Sequence, residues 1–118
     1  MRDHTKLKAF VLAEDMALLV YKLTIDFPKE EIYGLTSQMR RSAVSAPSNI
    51  VEGCARESQT EYIRFLEIAF GSTKECHYQF TLAVRLGYTT GIDISFYENK
   101  FTETEKVIAA LIRSLRKR

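Results

Sequence analysis

Apolar residues recur along the chain at alternating steps of three and four, the spacing of one face of an α-helix. Phe10, Ala13, Ala17, Val20, Thr24 and Phe27 make the first such stripe. Proline disfavours helical geometry in the residue before it, so Pro28 ends this helix, predicted over about 8–26. Leu35, Met39, Ala43, Ala46 and Ile50 make a second stripe, predicting a helix over about 35–53 that Gly53 closes. Beside it runs a polar line, Gln38, Arg41, Ser45, Ser48 and Glu52. Arg41, Asn49 and Glu52 from this region read either as a site or as a polar seam between packed helices. Pro47 falls inside the helix and crowds the carbonyl of Ala43, which predicts a kink, with Ser42 or Ser45 taking up the freed carbonyl.

Ser58-Gln59-Thr60-Glu61 is a capping box opening a long third helix over about 59–86, and Gly87 fits the position just past its end. Its stripe is Tyr62, Leu66, Ala69, Thr73, Cys76, Phe80 and Ala83. A second line, Ile63, Phe70, His77 and Val84, recurs at strict sevens, and the first helix adds Val11, Leu18 and Ile25 at the same step. One buried face per helix does not need these extra lines. Left in water they would form a large apolar patch, so all seven are candidates for contact between copies. Gly71-Ser72 reads as a point of close helix approach or, alternatively, as the opening of a pocket. Asp93 is a fitting N-cap for a fourth helix over about 93–116, with Tyr97, Phe101, Thr104, Ile108, Leu111 and Leu115 on its apolar face. No strand pattern stands out. The expected fold is all-α: one domain, residues 1–118, an up-down-up-down four-helix bundle that assembles as a closed homo-oligomer, with five chains the expected number.

Composition agrees with a soluble globular chain and excludes a disordered or low-complexity one: 46% of the 118 residues are apolar, 27% charged, and the net charge is only +2. The charge is unevenly placed. Five of the 17 basic side chains (Lys106, Arg113, Arg116, Lys117 and Arg118) lie at the end with no acidic one among them, leaving 12 basic against all 15 acidic before them. This is either an anion-seeking patch or a set of cations complementing a helix C-terminus. Two cysteines, Cys54 and Cys76, are too few for a disulfide framework and read as reduced thiols. The polar N-terminus shows no secretory pattern, and Ala9–Leu23 is too short and too charged to span a bilayer, so a cytoplasmic protein without a membrane anchor is expected.

Catalytic and metal signatures are missing. A di-iron bundle needs Glu-x-x-His pairs, and the residue three before His77 is Lys74. Cys76 and His77 are sequence neighbours on a helix and point apart. No phosphate loop, dinucleotide motif or nucleophile elbow is present. The expectation is a non-enzyme with no metal and no cofactor.

Tyr33-Gly34-Leu35-Thr36-Ser37-Gln38-Met39-Arg40-Arg41 followed by Ser45-Ala46-Pro47-Ser48-Asn49-Ile50-Val51-Glu52-Gly53 resembles a family signature. The family is that of small bacterial four-helix-bundle proteins first noticed in intervening sequences of 23S ribosomal RNA genes; the accessory variability protein of diversity-generating retroelements is a relative. Tyr62-Ile63-Arg64-Phe65-Leu66, Ala69-Phe70-Gly71-Ser72 and Leu86-Gly87-Tyr88 extend the resemblance over most of the chain. Leu12 stands where the family often has Trp, and Thr73-Lys74-Glu75-Cys76 departs from the usual Leu-x-Glu-Leu. The resemblance implies closed homopentamers without enzymatic activity, and the relative's binding of nucleic acid and of a reverse transcriptase implies a similar ligand here. The leading expectation is therefore RNA or DNA, contacted through phosphates. Arg40, Arg41, Arg56 and Arg64 are candidates on the resembling segments, and Lys106, Arg113, Arg116, Lys117 and Arg118 from the charge count. The alternative is a scaffold that presents the ring surface to a protein partner.

Overall fold

The computed structural model describes residues 2–118. Four long helices, α1 (Lys8–Thr24), α2 (Leu35–Cys54), α3 (Gln59–Arg85) and α4 (Ile94–Arg116), carry the fold, and no strand occurs among the described residues. Short 3-10 turns at His4–Lys6 and Lys29–Glu31 lead into α1 and α2. Packing runs α1 on α2, α2 on α3, α3 on α4 and α4 back on α1, so the bundle closes around one core. Met16, Val20, Met39, Ile50, Leu66, Phe80, Phe101 and Ile108 fill it. At 1.5 Å per residue the 27 residues of α3 reach about 40 Å, close to the 45 Å long axis of the molecule.

The helix ends are fixed by the chemistry of a few side chains. Ser58 Oγ accepts from Glu61 N at 3.0 Å and Asp93 Oδ1 from Phe96 N at 3.1 Å, each satisfying an orphan donor of the first turn. Gly87, at φ +82°, ends α3: its N–H donates to Val84 O and that of Tyr88 to Ala83 O, both at 3.0 Å. Glu31 does the same for α2, with Oε1 accepting from Leu35 N at 3.0 Å while Oε2 accepts from the Tyr88 hydroxyl at 2.7 Å. One carboxylate thus caps α2 and ties it to the end of α3.

Four expectations from the sequence need correction. α1 stops at Thr24, where the side-chain hydroxyl bonds back to Val20 O at 2.8 Å. Gly53 does not end α2; it lies inside the helix, with no positive φ. Its role is closeness: a Cβ there would lie 3.0 Å from Phe65 Cβ and 3.2 Å from Tyr62 Cδ1, so α2 meets α3 at this point. Gly71, by contrast, is exposed, and a Cβ there would have nothing within 4 Å, so the close approach is not at Gly71. Its neighbour Ser72 does join α3 to α2, through a hydroxyl pair with Ser45 at 2.8 Å. Finally, Ser42 and Ser45 do not serve the carbonyl freed by Pro47. Ser42 is spent on Gln79 Oε1 (2.6 Å) and Ser45 on Ser72, and α2 continues through Pro47 to Cys54.

Candidate anion-binding surfaces

The candidate basic residues other than Lys106 fall into two places. The first is the end of the bundle where α4 finishes beside the start of α3. Gln59 Nε2 donates to Leu115 O at 2.9 Å, and Arg116 pairs with Glu67 across the same seam. The start of the chain joins them: Arg2 N donates to Cys54 O at 3.4 Å, Arg2 Nη1 to Arg56 O at 2.6 Å, and its guanidinium lies 4.0 Å over the Tyr62 ring. Arg2 and Arg118 both act electrostatically on Tyr62, whose hydroxyl burial pushes up to about 12. Three of the candidates here already hold a carboxylate: Arg56 has Glu52 at 3.4 Å, Arg64 has Glu61 at 3.9 Å, and Arg116 has Glu67. These are exposed pairs of small energetic weight. Arg113, Lys117 and Arg118 are exposed and form no ion pair among the described residues. Lys106 stands apart, ten residues or about 15 Å back along α4 from Arg116.

The second place is an open groove of about 620 Å³ along α1 and α2. Arg40 and Arg41 border it together. Arg40 is held by Nε donating to Thr24 Oγ1 at 2.8 Å and by its stacking 4.8 Å over Tyr21. Arg41 is exposed and forms no ion pair among the described residues. Ser45, Ser48 and Asn49 line the same groove, and Asn49 Nδ2 donates to Ser45 O at 2.8 Å and to Ser45 Oγ at 3.0 Å. Of the trio Arg41, Asn49 and Glu52, the groove unites the first two, while Glu52 turns to Arg56. The sequence did not point to Tyr21; its only signal was an aromatic residue off the core stripe of α1.

The second line of α3 does not lie outside the fold. Ile63, Phe70 and Val84 pack, half-buried, against the core. His77 is locked between α3 and α4: Nδ1 lies 2.6 Å from Glu105 Oε2, Nε2 lies 2.6 Å from Glu98 Oε2, and the ring stacks on Phe101 at 5.0 Å. Lys74 Nζ completes the cluster, 3.6 Å from Glu105 Oε1. Burial alone would lower the imidazole pKa; the two carboxylates outweigh it and hold His77 above its ordinary value. Within one chain the core therefore covers these four residues in part, and α3 does not need a partner chain to shield the whole line. The line that stays in water runs along α1 and just past its end, with Leu18 61% and Ile25 72% exposed and Val11 exposed as well. Neither cysteine offers chemistry: burial raises the Cys54 thiol and pushes that of Cys76 up to about 12.

With this arrangement established, the relatives of the chain give it context. The model of the 23S rRNA-intervening sequence protein family matches residues 5–110. The chain belongs to that family. A solved relative from the S23 ribosomal protein family of Bacteroides thetaiotaomicron, itself of unknown function, superposes with a TM-score of 0.79 at 23% identity, covering 89% of this chain and 95% of that one. At that identity the likeness establishes the shared fold and no more. No curated protein matches the chain. The intervening-sequence family thus supplies the architecture, and the role rests on this chain's own surface. No described helix is long and apolar enough to cross a membrane.

Proposed function

We propose that the chain is a single-domain, non-enzymatic, cytoplasmic protein that folds up-down-up-down, closes into a homo-oligomer of five copies and binds RNA or DNA through phosphates. The observation that carries this reading is the acid-free run from Lys106 to Arg118, of which Arg113, Lys117 and Arg118 remain unpaired beside Arg2, Arg56 and Arg64 at one end of the bundle. A ring repeats that end once per subunit on one rim, so weak single contacts act together. The exposed Val11 and Leu18 of α1, with Ile25 just after it, supply apolar surface for the contact between copies. Sedimentation equilibrium tests the assembly: the full chain sediments as an oligomer and the Leu18→Glu variant as a helical monomer. A monomer mass for the full chain at micromolar concentration contradicts the ring. Fluorescence anisotropy with short RNA and DNA strands at low salt tests the ligand, and no binding by the oligomer contradicts it.

A second reading is favoured by a different observation. Tyr33 is 95% and Tyr78 64% exposed, and neither belongs to the α1 line. In this reading the assembled protein is a scaffold, and these aromatic side chains meet a protein partner.

A further inference from the structure

We infer that the groove between α1 and α2 is a binding site for a phosphomonoester, either of a free nucleotide or of the phosphorylated end of a nucleic-acid strand. The inference does not depend on the rim. None of the ten groove residues is a carboxylate, although residues 1–105 as a whole carry more acidic than basic side chains. Arg40 and Arg41 line the groove together with Ser37, Ser48 and Asn49.

Arg40 is preorganised. Its Nε is committed to Thr24 and its guanidinium carbon lies 4.8 Å over the Tyr21 ring, so its remaining N–H donors are restrained before a ligand arrives. Arg41 brings a second positive charge with no competing partner. Two positive charges match the two negative charges of a phosphomonoester at neutral pH, whereas a peptide carboxylate or a strand-internal phosphodiester carries only one. The groove, at about 620 Å³, is open to solvent and far larger than an inorganic ion needs. Its rim gives the organic part of a ligand somewhere to rest: Ile32 and Val44 are exposed there. Asn49 spends its Nδ2 on Ser45, which leaves Oδ1 as an acceptor for a sugar hydroxyl or a base N–H.

Isothermal titration calorimetry on the full-length protein, with AMP and adenosine as probes, tests this. AMP binds at least about ten-fold more tightly than adenosine, and Arg41→Ala weakens AMP about ten-fold, because a charge-assisted pair is lost. Arg41→Ala keeps the fold, since the side chain is exposed and unpaired; Ser48→Ala gives a second, milder loss. A full-length rim variant (Arg113→Gln, Lys117→Gln, Arg118→Gln) binds AMP as the wild type does, so a failure of the rim reading leaves this result untouched. Comparing one oligonucleotide with a 5′-phosphate and with a 5′-hydroxyl then identifies the source: preference for the phosphate marks a strand end, and equal affinity beside tight AMP binding marks a free nucleotide. Equal binding of AMP and adenosine, no AMP binding at millimolar concentration, or undiminished AMP binding by Arg41→Ala would overturn the inference.

Discussion

Replacing His77 with glutamine isolates the charge that joins α3 to α4. Both ring nitrogens of His77 face carboxylate oxygens at 2.6 Å, and a neutral imidazole has only one N–H to offer. The geometry therefore requires an extra proton in the cluster, and the raised pKa of His77 places it on the ring. The arm to Glu105 is well shielded, with side chains 20% and 12% exposed, so its charge-assisted bond contributes about 1.5–3 kcal/mol. The arm to Glu98 is 39% exposed on the carboxylate side, and solvent screening reduces it to less than about 1 kcal/mol. His77→Gln keeps an amide donor but no charge, and should cost about 2 kcal/mol. For a chain of this size that lowers Tm by roughly 6–10 °C. A folded-state pKa above the unfolded value of 6.5 stabilises fully below pH 6.5, and this contribution disappears as pH rises through the raised value. Urea unfolding followed by circular dichroism, at fixed protein concentration from about pH 5.5 to about pH 9, should show wild type and variant far apart at the acidic end and converging at the alkaline end. A gap that stays constant or widens with pH would refute an ionised His77.

Two glycines in neighbouring helices should respond in opposite directions. Gly53→Ala puts a Cβ 3.0 Å from Phe65 Cβ, an atom too near its own backbone to yield, and should destabilise by about 1 kcal/mol despite the gain in helix propensity. Gly71→Ala meets nothing within 4 Å and should stabilise by about 0.5–1 kcal/mol; denaturant midpoints check both, and equal signs would contradict the packing described. Cys54 and Cys76, buried and with raised thiol pKa values, should resist a water-soluble disulfide reagent in the native protein at neutral pH and react on unfolding; fast labelling of either in the native state would show that the core opens there.

Local rules carry the fold a long way. The 3–4 stripes lie on the buried faces, and Ser58, Gly87 and Asp93 do what their positions suggest because caps depend on neighbours three or four residues away. Glycine roles were less legible. Gly53 and Gly71 both sit in helices, and only the approach of Phe65 and Tyr62 from α3 separates a packing glycine from an open one. The same limit applies to charge. The basic excess after Lys106 can be counted in the sequence, but the carboxylates that neutralise Arg116 and the two that hold His77 come from other helices or distant turns. Arg40 and Arg41, adjacent and about 100° apart on α2, gave no sign of sharing a site until α1 supplied Tyr21 and Thr24.

The salt dependence of nucleic-acid affinity tests the central claim most directly. If the rim engages about six phosphates, anisotropy with a labelled DNA duplex should show affinity falling roughly a thousand-fold between about 50 and about 200 mM salt, as condensed counterions are released. The Arg113→Gln, Lys117→Gln, Arg118→Gln variant should bind more weakly and with a shallower slope, while keeping the oligomer mass of the wild type. An unchanged slope in that variant, or no binding by the full-length oligomer at about 50 mM salt, would contradict the account.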